Sequence, residues 1–240
     1  MSKIKAVFAL SGGLDSAVAL AVTMETQNLK PEEVIAVTFY YGSKHAVWET
    51  RAAEKVRQYY SIAAWTNHLK IDLSAALEVA SKVSSLGAMN PAAIPEGHYN
   101  DETMRSTVIP GRNLMFLSVL ASVAEASLGG MRPEVPVKVV LGVHQGDHHI
   151  YPDCRPEFVR AAGEAVCEST DYSVGLYTPL LDMDKAAIVR AGIALKVPFR
   201  HTRTCYKNQE RSCGKCGSCV ERLEAFAANG ITDPILYEGQ

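Results

Sequence analysis

Apolar and polar positions alternate along this chain in blocks rather than residue by residue. Ile4 to Leu10 is a mostly apolar run of strand length, and after the turn Ser11-Gly12-Gly13-Leu14-Asp15-Ser16 the run Ala17 to Val22 reads as a buried helix. Val34 to Tyr40 predicts a second strand. Ala46 to about Tyr60 predicts a helix with its charges (Glu49, Arg51, Glu54, Lys55, Arg57) on one side, and Ala64 to Ile71 a third strand. Ser74 to Thr107, rich in Ser, Gly, Pro and Ala, reads as irregular or weakly helical, and its length suggests a functional segment, a lid over a substrate, rather than a connector. A helix from Arg112 to about Leu128 leads into a fourth buried strand, Val137 to Val143. Further helices are predicted from Pro156 to Glu168, with Pro in the first turn, and from Asp184 to Leu195.

Strands alternating with helices predict an α/β fold, a doubly wound and mainly parallel sheet with helices on both faces. No repeat or low-complexity tract interrupts the alternation, so the reading is one domain over residues 1–240. In such sheets ligands bind beyond the carboxyl ends of the strands. The three densest polar loops, Ser11 to Ser16, Tyr41-Gly42-Ser43-Lys44-His45 and His144-Gln145-Gly146-Asp147-His148-His149, all follow strands at that edge. One site could collect all three.

Composition narrows the partners. With 240 residues, 48% of them hydrophobic, the chain can bury a substantial core, and 24 Lys and Arg against 26 Asp and Glu give no field for indiscriminate nucleic-acid binding. No stretch of 18 apolar residues occurs, so no membrane partner is expected and the reading is a cytoplasmic protein. The chain has 6 cysteines, and four of them, Cys205, Cys213, Cys216 and Cys219, crowd together near the end. Two C-x-x-C steps sharing Cys216, with glycines to let the knuckle fold, suit tetrahedral zinc in a closed, structural site; an iron–sulfur cluster is the alternative the same thiolates allow. Cys167 is expected in the core, and Cys154 as a packed or substrate-lining thiol. His144, His148 and His149 lack the spacing of a second metal site and read as pocket lining.

A glycine turn between a strand and a helix presents backbone N–H groups and the positive end of the helix dipole to one spot. Gly12 and Gly13 allow close approach, and Ser11 and Ser16 can add hydroxyl bonds, so the turn reads as a phosphate cradle. Its spacing is neither the Walker pattern nor the dinucleotide fingerprint. It resembles the PP-loop of the ATP pyrophosphatases, which hold the pyrophosphate leaving group while a substrate oxygen attacks the α-phosphorus. The resemblance implies an ATP-binding set of Leu10, Ser11, Gly12, Gly13, Leu14, Asp15 and Ser16. Leu180-Leu181-Asp182-Met183-Asp184-Lys185 is similar to a later element whose lysine, Lys185 here, reaches the triphosphate.

Four further stretches narrow the resemblance to the 7-cyano-7-deazaguanine synthase family, over nearly the whole chain. They are Tyr41 to His45 with Glu49, Thr107-Val108-Ile109-Pro110-Gly111-Arg112-Asn113, Tyr151-Pro152-Asp153-Cys154-Arg155-Pro156-Glu157-Phe158, and the cysteine array ending in Arg222. This resemblance implies an ATP-dependent carbon–nitrogen ligase that converts 7-carboxy-7-deazaguanine and ammonia to 7-cyano-7-deazaguanine through an acyl-adenylate and an amide, releasing AMP and pyrophosphate. It also implies magnesium bridging the phosphates beside Asp15, and a homodimer. Chemistry is expected to depend on Asp15, Lys185 and Arg112. Arg112 and Arg155 suit bidentate capture of a carboxylate or phosphate, and Asp153 suits the N–H edge of the base. His45, Glu49, Asn113 and Asp147 complete the substrate set, although capping or solvent-facing roles stand beside ligand contact for His45 and Glu49. Asp147 to Ile150 departs from the small residues the best-known members carry there. That leaves a relative stopping at the 7-amido product, or one adenylating a tRNA base, as the alternative.

Overall fold

The computed structural model describes residues 4–98, 101–147 and 151–240. Its centre is a five-stranded sheet of β1 (Ala6–Ala9), β2 (Val34–Tyr40), β3 (His68–Asp72), β4 (Val137–Val140) and β5 (Val174–Tyr177), in the order β3-β2-β1-β4-β5. Every pairing is parallel, with Val7 opposite Ile35 on one side and Val139 on the other. The winding reverses at β1, whose neighbours are β2 and β4, and this is where a parallel sheet opens a crevice.

Alternate residues of β1 explain why the strand reads as apolar throughout. Ala6 and Phe8 face a core built with α1 (Leu14–Thr26), α2 (Ala46–Tyr59) and α7 (Lys185–Ala194). Val7 faces the opposite core, with α5 (Arg112–Ser127) and α6 (Pro156–Ser169). Helices on both faces leave no polar side to the central strands.

Between β3 and α5 the described residues form two short helices, α3 (Glu78–Lys82) and α4 (Asp101–Arg105). This segment is fastened at both ends of its course: Lys44 N donates to Leu86 O and Ala88 N to Gly42 O, while Gly97 N donates to Lys215 O. It therefore packs as a strap joining the loop after β2 to the cysteine segment. The C-terminal helix α8 (Gly217–Ala228) follows the cysteines and packs against α7.

Several sequence expectations shift. Residues 64–67 turn rather than extend, because Asn67 N bonds back to Ala63 O and its side chain ties to Val34 O at 2.8 Å. Strand β4 stops at Val140, where the chain passes over the start of α1 so closely that a Cβ on Gly142 would meet Asp15 backbone carbon and oxygen at 3.1 Å. Cys167 is half-buried rather than in the core. Both β5 and α8 go unanticipated. No helix among the described residues is long and apolar enough to cross a membrane.

Candidate functional site

The turn after β1 is fixed by backbone conformation before any ligand is considered. Gly12 sits at φ 76°, and a Cβ there would lie 2.2 Å from the backbone nitrogen of Ala53 in α2. Only glycine meets both demands. Gly13 is the N-cap of α1 and supplies no side chain to the first helical N–H groups, which leaves the positive end of a thirteen-residue helix open toward the crevice. The two serine hydroxyls turn inward: Ser11 Oγ and Ser16 Oγ lie 3.1 Å apart, Gly13 N donates to Ser11 Oγ, and Ser16 Oγ donates to Gly13 O. They brace the turn, and reaching a phosphate requires them to exchange these bonds.

Asp15, in the first turn of α1, receives hydrogen bonds from Lys185 Nζ on both carboxylate oxygens at 3.0 Å. The same ammonium nitrogen lies 2.9 Å from His144 Nε2 in the loop after β4. Burial pushes the Asp15 carboxyl up, but the charges of Lys185 and then His144 outweigh it and hold the group below the usual carboxylate range. Lys185 stands at the head of α7, whose N-cap Asp184 accepts a hydrogen bond from Ala187 N. The chain separation of 170 residues between Asp15 and Lys185 is thus closed by two helix starts meeting at the sheet edge.

A cavity of about 210 Å³ opens beside this cluster, lined by Ser11, Asp15, His45, Glu49, Arg112 and Phe116 among others. Tyr41, Asn113, Cys154, Arg203, Cys205 and Tyr206 also line it. The first two polar loops singled out in the sequence line this cavity, and the third reaches the adjoining cluster through His144. Phe116 stacks on Phe39 with centroids 4.2 Å apart, and Tyr41 meets Phe116 edge-on, so one wall is flat and aromatic.

Charge in the cavity is uneven. Glu49 accepts from Tyr41 Oη at 3.2 Å and lies 3.5 Å from His45 Nε2; burial raises its pKa, but His45 and Arg112 outweigh that and hold it charged. Burial likewise opposes the Arg112 charge, while Tyr41 and Asp153 restore it and raise its pKa. Arg112 Nε and both ring nitrogens of His45 are buried without a hydrogen-bond partner. A buried donor left unmade costs about 1–3 kcal/mol, a penalty that an acceptor on a ligand would remove.

Asp153 is already engaged: its Oδ2 accepts from Asn113 N at 3.1 Å at the start of α5, and Asn113 Nδ2 donates to Asp153 O and Cys154 Sγ. The structure therefore brings Asp153 next to the cavity as a brace of α5. Arg155 does not line the cavity; it is exposed and is the N-cap residue of α6. The side chain of Asp147, with His148 and His149, lies outside the described residues.

The four cysteines are buried and their sulfurs lie within 4.8 Å of one another, with Cys213 Sγ and Cys219 Sγ 3.9 Å apart. Metal–sulfur bonds of about 2.3 Å in a tetrahedron require sulfurs roughly 3.8 Å apart, so the donor set fits a zinc ion. Backbone N–H groups of Lys215 and Cys216 point at Cys213 Sγ at 3.4 and 3.2 Å. Behind the knuckle, fully buried Arg222 pairs with Asp233 at 2.6 Å and donates to Thr202 Oγ1 and Phe199 O, and Tyr237 Oη closes the network on Asp233.

Among the lining residues that sequence reasoning missed, Arg203, Phe116 and Tyr206 matter most. Arg203 spans the two halves of the site: its backbone N donates to Gly12 O at 2.9 Å and its guanidinium to the carbonyls of Lys207, Gln209 and Glu210. Phe116 and Tyr206 form aromatic lining. Phe116 lies one helical turn after Arg112 and was findable from that spacing; nothing in the pattern marks Arg203.

The sequence profile of the family described as "Queuosine biosynthesis protein QueC" matches residues 5–230. A protein of Marinomonas sp. (strain MWYL1) named 7-cyano-7-deazaguanine synthase is 43% identical, covering 98% of each chain. Proteins of the same name from Marinobacter nauticus, 42% identical over 95% of each chain, and Archaeoglobus fulgidus, 40% identical over 98% of this chain and 91% of its own, are also similar.

Proposed function

Because this chain belongs to the family of the queuosine biosynthesis protein QueC, we propose that it makes 7-cyano-7-deazaguanine from 7-carboxy-7-deazaguanine and ammonia, with ATP cleaved to AMP and pyrophosphate. The observation that carries this reading is the meeting, around one cavity, of an uncapped helix start at a glycine turn with a buried arginine whose Nε–H lacks a partner beside an aromatic wall. The first suits a triphosphate, the second a carboxylate, and the third a planar heterocycle.

In this reading a carboxylate oxygen of the substrate attacks the α-phosphorus, the α–β bridging bond breaks, and pyrophosphate leaves into the turn of Ser11 to Ser16. Lys185 exchanges Asp15 for phosphate oxygens and neutralises charge as it moves to the leaving group. Ammonia then displaces AMP at the acyl carbon to give the amide. In a second round the amide oxygen attacks the α-phosphorus of another ATP, and AMP departs with that oxygen as the nitrile forms. Arg112 holds the carboxylate and later the amide oxygen, with Glu49 and His45 orienting the base. Magnesium, when bound, offsets phosphate charge beside Asp15.

Zinc on Cys205, Cys213, Cys216 and Cys219 is closed to water and serves to hold the wall that carries Arg203 and Tyr206. ATP and small molecules are then the partners, in the cytoplasm, with the chain paired as a homodimer. Incubating the protein with ATP, magnesium, ammonium and 7-carboxy-7-deazaguanine tests the reading. Nitrile with AMP and pyrophosphate is the expected product set; accumulation of amide would assign the chain to a variant that stops halfway, and no substrate-dependent AMP would refute the choice of acceptor.

A further inference from the structure

A second polar groove, of about 560 Å³, lies beside α2, shares Arg203 with the cavity and is lined by Arg51, Lys55, Arg200, His201 and Arg211 among others. The chain as a whole carries a net charge of −2, yet the only acidic residue lining this groove is Glu210. Arg51, Lys55, Arg200 and His201 form no ion pair among the described residues, while the Arg211 guanidinium donates to the main-chain carboxylate oxygen of Gln240 and is thereby already paired. Like charges gathered without counter-charges repel one another, and a ligand of opposite sign removes that cost. A second observation is compatible with this: Arg203, 9% exposed, lines the groove as well as the cavity, and its Nε is buried without a partner.

The ligand class follows from what the groove lacks. Trp48 is its one large aromatic lining residue, but the guanidinium groups of Arg51 and Arg203 already lie over its ring at 4.6 and 5.4 Å, and its Nε1 donates to Asn208. No ring is left for a base to stack on, which disfavours single-stranded nucleic acid. Guanidinium forks and an ammonium around a pocket of small-molecule size suit clustered phosphate oxygens.

We propose that this groove is a binding site for a small multivalent phosphate anion, distinct from the glycine-turn cradle. The two sites share a layer: Arg203 N bonds Gly12 O, and Ala52, which lines the groove, packs against Gly12. An anion held by Arg51 and Lys55 therefore sits one backbone layer behind the cradle.

Titration calorimetry of the full chain with magnesium-free pyrophosphate tests this. Two classes of site are expected, and Lys55→Glu/Arg200→Glu should abolish one while keeping the other, which also reports that the variant is folded. Lys55→Ala, a milder change, should weaken the same class by about tenfold with the cradle class unchanged. In a Trp65→Phe background Trp48 is the sole tryptophan, and its fluorescence should respond to the groove class alone. Substituting ATP for pyrophosphate distinguishes the source: tighter groove binding assigns the phosphates of a nucleotide, equal or weaker binding the free anion. A single class in the unmodified protein, two undiminished classes in both variants, or displacement of pyrophosphate by a short single-stranded RNA that binds more tightly would overturn the proposal.

Discussion

The two walls of the cavity are held by different physics. On one side the glycine turn is set by covalent geometry and by packing against α2, with a backbone nitrogen where any Cβ of residue 12 would sit. On the other side the segment from Cys205 to Cys219 has little apolar bulk of its own and is gathered by four sulfurs and the buried Arg222–Asp233 pair. The cradle is thus set by the backbone itself, whereas the other wall is held by one charge network and by a four-cysteine cluster that can hold zinc. In the proposed reaction two ATP molecules are gripped in succession, which a rigid cradle favours, and the other wall can be tuned by loop residues without disturbing the sheet.

The largest effect expected is from metal removal. Structural zinc sites supply on the order of 10 kcal/mol of apparent binding energy, so chelation should lower the melting temperature by about 10 °C or more and abolish turnover, with restoration by zinc; circular dichroism with metal analysis reads it. A chelated protein of unchanged stability and activity would dissolve the contrast between the walls. Asp233→Ala comes next, because it strands the fully buried Arg222 guanidinium. A loss of about 3–5 kcal/mol in denaturant unfolding is expected, with the metal still bound.

Gly12→Ala should act on the other wall. It forces a left-handed φ on alanine and drives a methyl group into Ala53, so the turn must shift. Turnover should fall about 100-fold or more while metal content stays unchanged, as single-turnover AMP formation and metal analysis would show. The smallest effect is electrostatic. The folded pKa of Asp15 is lowered, so its contribution to stability is present above the ordinary carboxylate value and is lost as pH falls through the lowered one. Asp15→Asn should therefore give a shallower acid limb below about pH 4 in unfolding free energy, with no change in slope near neutrality.

The same contrast separates what was legible in the sequence from what was not. Strand β2 reads to the residue, Val34–Tyr40, because a strand buried on both faces is almost wholly apolar, its one buried polar side chain, Thr38, being satisfied by Leu10 O. The turn reads as well, since two glycines between hydroxyls and a carboxylate serve little else. Strand β5 is only four residues long and contains Gly175, too short to show a period, and α8 begins inside the knuckle, where cysteine and glycine spacing hides its helical pattern. At the site, motif residues Asp15, His45, Glu49, Arg112 and Asn113 come to the cavity, whereas Arg155 lies outside it. Neither the bond of Arg203 to Gly12 nor the approach of Lys185 to His144 has a local signal, because each joins segments distant in the chain.

In the proposed reaction the substrate's own carboxylate oxygens attack ATP within this cavity, twice. Supplying 7-carboxy-7-deazaguanine with both carboxylate oxygens as oxygen-18, together with ATP, magnesium and ammonium, and weighing the AMP by mass spectrometry tests it directly. Each AMP should carry one heavy oxygen, from the carboxylate in the first round and from the amide in the second. Unlabelled AMP, or ADP and phosphate in its place, would contradict the account.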